Sequence, residues 1–218
     1  MALPPDPTLD EIRAALAAPV AANAAFDGWN ARAVDAAADS MGLDRGIAGL
    51  AFETPLAMID AWFAWIDAAM AERLPAERLA TMKIRERITA LVETRLELLA
   101  PNREALRRAA TILAMPQNAA HAVRLGWRAA DAMWRLAGDT ATDYNHYTKR
   151  TILAGVYAAT LAVYLQDDSD GWAETRAFLG RRIDGIMRFE KAKAQLLGRG
   201  KHKPSLSRFI GRLRYPVV

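Results

Sequence analysis

The chain has 218 residues, 52% of them hydrophobic, with no cysteine and a formal net charge of +4. That length supports one ordinary domain with a sizeable core. The missing cysteines exclude disulfides, thiolate metal sites and a cysteine nucleophile.

Charge and composition narrow the classes further. Three histidines, at positions 121, 146 and 202, are too scattered to suggest a metal site, so no metal is expected. From Lys191 onward there are eight basic residues and no acid follows Glu190, which leaves 21 basic against 25 acidic residues before that point. A basic end on an acidic body suits an acidic surface as partner. Met1 to Glu11 carries Asp6, Asp10 and Glu11 and no base, unlike a secretory signal or transit peptide, and a cytoplasmic protein is the simplest reading.

Apolar residues recur at helical period nearly everywhere and nothing alternates like a strand, so the expected class is all-α. Helices are expected at about 8–24, 30–41, 45–51, 55–74, 76–99, 102–114, 116–137, 142–167, 171–197 and 205–214. Pro55, Pro75, Pro101 and Pro116 stand near helix starts, and Gly42, Gly138 and Gly198 near helix ends. Gly198 to Pro204 reads as a linker.

In chain order, the first informative segment is Gly28 to Phe52, which has the layout of a helix-turn-helix. Ala38 is the small residue where two helices would cross, and Gly42 makes the turn. Leu43 and Ile47 are expected to face inward, and Phe52 to close the second helix. From Gly28 to about Trp62 the chain resembles the N-terminal domain of TetR-type regulators, which a larger helical domain follows. The DNA-reading chemistry of that domain is missing. The positions matching its base- and phosphate-contacting residues read Ile47, Gly49, Leu50, Ala51 and Pro55. Residues 27 to 60 hold six acids and two bases, so phosphate would be repelled. A helix-turn-helix kept as scaffold is expected, with DNA binding lost.

Next come two apolar stripes. Trp62, Phe63, Trp65, Ile66 and Met70 form one, and Trp127, Met133 and Trp134 the other. Such stripes usually build plain core. Rich in Trp and Met, they can also border an adaptable apolar cavity.

Residues 143 to 168 join a polar, aromatic and basic turn (Asp143 to Arg150) to fifteen uncharged residues, Thr151 to Leu165. The uncharged half has no polar face and must be buried; it is too short for a bilayer span of about 20 residues. Asp143, Tyr147 and Arg150 share one face at the helix start. On residue chemistry alone they read as a helix-dipole acid and a surface ion pair. Gly155, Ala158, Ala159 and Ala162 permit close helix approach, which makes 142–167 and 171–197 candidates for a four-helix dimer interface.

At the end of the chain Leu206, Phe209, Ile210 and Leu213 fall at i, i+3, i+4 and i+7, with Arg208, Arg212 and Arg214 away from that face. A short basic amphipathic helix after a linker is the pattern of an interfacial membrane anchor.

The run Gly138 to Arg150, followed by Leu153-Ala154-Gly155-Val156-Tyr157 and later by Phe178-Leu179-Gly180-Arg181-Arg182-Ile183, resembles the signature of a specific family. This is the accessory lipid-binding family of ubiquinone (coenzyme Q) biosynthesis, of Coq-nine type, itself TetR-like in fold. The resemblance is densest from about Leu113 to Glu190. It implies a non-enzymatic homodimer with an apolar lipid pocket, which docks on the membrane and presents a quinone precursor to a hydroxylase. By resemblance the partner-facing patch maps to Met133, Trp134, Asp143, His146, Tyr147 and Arg150. Many members carry Trp where this chain has His146. The expected lipid contacts are Trp62, Trp65, Ile66, Met70, Trp127, Ile152 and Val156. The expected membrane contacts are Leu206, Arg208, Phe209, Ile210, Arg212 and Leu213.

No nucleophile motif, phosphate loop or metal-spaced cluster stands out, so no enzyme is expected. The organisation read from the sequence is a helix-turn-helix-like unit at 1–54, a lipid-binding and dimerisation domain at 55–198, and a linker and membrane helix at 199–218. No cofactor is expected; a bound isoprenoid or phospholipid is, with location at the periphery of a bacterial inner membrane or on the mitochondrial matrix side. The alternative function is a ligand-responsive TetR-type transcription regulator.

Overall fold

The computed structural model describes Pro4, residues 6–140 and residues 144–199, with backbone alone at 144, 145, 187 and 189–199. Asp143 and the tail helix expected over 205–214, with Leu206, Arg208, Phe209, Ile210, Arg212 and Leu213, lie outside the described residues. Two compact units are present, Met1–Leu179 and Gly180–Val218. The first helix packs against later helices as well as against its neighbours.

Among the described residues there is no strand. Helix α1 (Leu9–Asp27) starts on a capping box, in which Thr8 accepts from the Glu11 amide while the Glu11 carboxylate accepts from the Thr8 amide. It runs three residues past its expected end and through Pro19. The backbone hydrogen bond lost there is outweighed by the buried Leu16, Ala17, Val20, Ala21 and Ala24 around it. Helices α2 (Ala31–Met41) and α3 (Arg45–Ala51) form the expected helix-turn-helix, joined at Gly42 with φ 67°. Only glycine adopts that left-handed geometry at little cost.

Ala38 is buried at the crossing and Phe52 closes α3, as expected. The facing of α3 is otherwise. Ala48 and Ala51 point inward, whereas Ile47 is 48% exposed and Leu50 61% exposed. Asp44 caps α3 through the Ile47 amide and fixes the rotation that turns Ile47 outward.

Pro55 opens α4 (Pro55–Arg73) at its first turn, behind Thr54, which accepts from the Ala57 amide. The single helix expected over 76–99 is two, α5 (Ala76–Ala80) and α6 (Ile84–Leu99). No glycine or proline marks the break. It is held by Arg87, whose guanidinium donates to the carbonyls of Ala80, Met82 and Ala137. Short 3-10 turns precede α7 (Arg103–Leu113), α8 (Ala119–Leu136) and α10 (Ala173–Arg199), and α9 spans Tyr144–Tyr164. Trp29 donates to the Ala105 carbonyl and its ring lies 5.5 Å from Trp62, fastening the N-terminal helices to α4 and α7. No single described helix is long and apolar enough to cross a membrane.

Candidate functional site

Helices α4, α6, α8 and α9 meet around five side chains whose chemistry is unusual for a helical core. Arg95 on α6 has no solvent exposure and pairs through Nη1 with Asp67 on α4. Arg128 on α8 donates from Nε to the other Asp67 oxygen at 3.2 Å, and from Nη1 to Asp60 at 2.9 Å. Tyr157 on α9 lies beneath Arg95, with the guanidinium carbon 5.0 Å from the ring centroid. Burial pushes the Tyr157 phenol above its ordinary pKa, so the hydroxyl keeps its proton. The Arg95 Nε and Nη2 atoms and the Tyr157 hydroxyl are buried, and the guanidinium and the phenol are each other's polar neighbours.

Tyr157 belongs to the signature run, but the sequence alone does not single out Asp60, Asp67, Arg95 or Arg128. A signal was there for Arg95, which stands on the same stripe as the buried Ile88, Leu91 and Leu99 of α6. A charge at that spacing on an inner face demands a buried counter-ion. The sequence could not say which acid supplies it.

The expected lipid contacts are dispersed. Trp62, Ile66 and Met70 are wholly buried, with the Trp62 ring packed between Trp29 and Phe63, so Trp62 belongs to the N-terminal corner. Val156 is buried beside Tyr157 in sequence, and Trp65, Trp127 and Ile152 are half-buried. A separate open groove of about 550 Å³ runs between α7 and the end of α9, lined by Ala110, Thr111, Ala114, Ala162 and Leu165, with Arg107 and Asp168 at its polar part. None of the seven expected lipid contacts lines it.

The signature turn divides into support and surface. Arg150 is 2% exposed, donating from Nε to Asp131 at 2.6 Å and from Nη1 to Asp139 at 3.0 Å and to the His146 carbonyl. Met133 has no exposure. These two residues were mapped to the partner patch but are interior in this chain, because α8 and α9 close over them. Trp134 donates to the Lys149 carbonyl, and Lys149 returns to Asp139 at 2.7 Å. Outward-facing Tyr147 is 62% exposed, 6.1 Å from the Trp127 ring and 5.1 Å from His146 in an edge-on contact. On the same side of α9, Gly155, Ala158 and Ala162 are also exposed, and a Cβ added at Gly155 would meet nothing within 4 Å.

A family model described as COQ9 matches residues 119–190, which take in α8, α9 and the first part of α10. The mitochondrial ubiquinone biosynthesis protein COQ9 of Rattus norvegicus is 34% identical over 181 residues, covering 80% of this chain and 58% of the relative. Its counterpart in Homo sapiens is 30% identical over 181 residues, covering 80% and 57%. The chain is thus similar to COQ9 proteins, most directly over residues 119–190. It spans less than three fifths of the length of these COQ9 relatives. A TetR transcriptional regulator from Nitrosomonas europaea superposes with a TM-score of 0.63 at 22% identity, covering 79% of this chain and 96% of that one. The fold is therefore TetR-like. The matched segment carries Trp127, Arg128, Trp134, Tyr147, Arg150 and Tyr157, so the aromatic surface falls within it, with Arg128 and Tyr157 of the ion cluster.

Proposed function

We propose that this chain is a non-enzymatic accessory protein of ubiquinone biosynthesis. It holds a lipid, a quinone precursor or related isoprenoid, within the helical body and offers it to a hydroxylase. It acts as a homodimer at the membrane face where ubiquinone is made, on the bacterial inner membrane or the matrix side of a mitochondrion. The observation that carries the reading is the exposed Tyr147, flanked by Trp127 and His146 and held from below by the Arg150 ion pairs, inside the segment shared with COQ9. Rigid aromatic surface on a buried electrostatic base is the composition of a binding hot spot. The small exposed residues on α9 support close approach of a second copy. The basic amphipathic pattern at the C-terminal end supports membrane docking.

The regulator reading has the fold likeness in its favour and surface chemistry against it. The large apolar side chains exposed on α3 are Ile47 and Leu50, which donate no hydrogen bonds to bases or phosphates, and the exposed Arg45 of the same helix is paired with Asp39. A pull-down with a ubiquinone-biosynthesis hydroxylase tests the proposal. Capture by the natural chain and its loss with Tyr147→Ala supports it; equal capture by both counts against the aromatic surface.

A further inference from the structure

Helix α3 shows solvent a face that its own packing does not require. Ile47 and Leu50 stand one turn apart on it, both exposed, and the neighbouring Gly46 and Gly49 are exposed as well. Met41, at the end of α2, is a third exposed apolar side chain in the same unit. The inward side of α3 is complete without them, since Ala48 and Ala51 are buried and Asp44 caps the helix through the Ile47 amide. Single surface leucines are ordinary, but large apolar side chains grouped on one helical turn mark a contact surface.

Gly49 sharpens the case. After proline, glycine is the poorest helix former, and α3 has only seven residues. Gly46 has a local reason, because a Cβ there would come within 3.0 Å of the Asp44 carboxylate that caps the helix. Gly49 has no such reason: a Cβ added to it would meet nothing within 4 Å. The missing side chain beside Ile47 and Leu50 leaves a notch, and small residues at a crossing let a second helix approach closely.

Charge selects the occupant. Residues 27–60 carry six acids and two bases, and Asp44 and Glu53, both exposed, bracket α3. Arg45, the basic residue of α3, is held by both oxygens of Asp39, at 2.8 and 2.6 Å. Nucleic acid and anionic lipid would be repelled from this surface, and so would a second copy presenting the same face. A helix with an apolar stripe edged by lysine or arginine matches both the apolar centre and the acidic rim.

We propose that the outer face of α3, formed by Gly46, Ile47, Gly49 and Leu50, docks a basic amphipathic helix of another protein. Its apolar stripe lies over Gly49, and its cations face Asp44 and Glu53. Neither the Tyr147 surface nor lipid carriage enters this assignment, so each stands or falls alone.

Fluorescence anisotropy of the full chain with a labelled helical peptide of leucine and lysine, its leucines on one face, checks this. The natural protein is expected to bind it, more weakly as salt rises, and not to bind the matching peptide of leucine and glutamate. Ile47→Ser combined with Leu50→Ser is expected to weaken binding about tenfold with the thermal midpoint unchanged, because both side chains are exposed. Gly49→Gln fills the notch with a better helix former; it is expected to raise the thermal midpoint while weakening the peptide about tenfold. A purely structural α3 would show no such opposition between stability and affinity. If both variants bind the peptide as the natural chain does, the docking face is refuted. Loss of self-association by the double serine variant in sedimentation would also overturn it, making the face a contact between copies. So would loss of flotation with phosphatidylcholine vesicles by that variant, making it a lipid contact.

Discussion

Arg150 on α9 and Asp131 on α8 meet at 2.6 Å, with the guanidinium 2% exposed and its other face 3.0 Å from Asp139. This pairing fixes how α9 sits against α8, and so where Tyr147 stands on the surface. Removing one partner leaves buried charge uncompensated. Arg150→Ala is expected to destabilise the fold by about 3–5 kcal/mol in denaturant unfolding. Tyr147→Ala, three residues earlier and exposed, is expected to change stability by less than about 0.5 kcal/mol. The contrast separates support from contact surface within a single turn of helix.

Asp167 gives the C-terminal end of α9 its pH dependence. Burial opposes its charge, but the hydrogen bonds from Ser169 and Thr175 prevail and hold the carboxyl well below the ordinary carboxylate range. With the folded-state pKa depressed, the stabilisation is fully present above the unfolded value and is lost as pH falls toward the folded one. Unfolding followed by circular dichroism is expected to show stability declining below about pH 5. Asp167→Asn is expected to lower stability at pH 7 and to flatten that acid limb.

Gly42 isolates a purely conformational cost. Its φ is 67° and an added Cβ would meet nothing within 4 Å, so Gly42→Ala introduces no clash with another residue. Only the left-handed backbone is penalised, by about 1–2 kcal/mol. The thermal midpoint is expected to fall by a few degrees with the helix content unchanged.

The exposed small residues of α9 make a prediction about assembly. Ala158→Arg places a long cation on a face that the monomer leaves open, so the fold is expected to survive. If that face joins two copies, sedimentation is expected to shift from dimer to monomer. A dimer that persists would move the interface elsewhere.

These results also show what the chain revealed before its structure. Gly42, Pro55 and the helical periods placed most helices within a few residues, because caps and punctuation are local chemistry. The break at residues 81–83 was hidden, since it depends on Arg87 reaching the Ala137 carbonyl fifty positions away. The outward turn of Ile47 depends on the Asp44 cap, and apolar character alone pointed the other way. For the site, motif resemblance located the Arg150 turn but could not separate interior Arg150 and Met133 from exposed Tyr147. The Asp67–Arg95–Tyr157 junction was missed because its members lie on three helices and only packing brings them together.

Lipid carriage is the central claim, and identifying what the chain holds tests it most directly. Full-length protein purified without detergent would be extracted with organic solvent and the extract analysed by mass spectrometry. The account expects an isoprenoid quinone, its precursor or another lipid at near-stoichiometric amounts, lost on denaturation. Protein that is repeatedly empty, and stays empty after incubation with isoprenoid quinone, would contradict it.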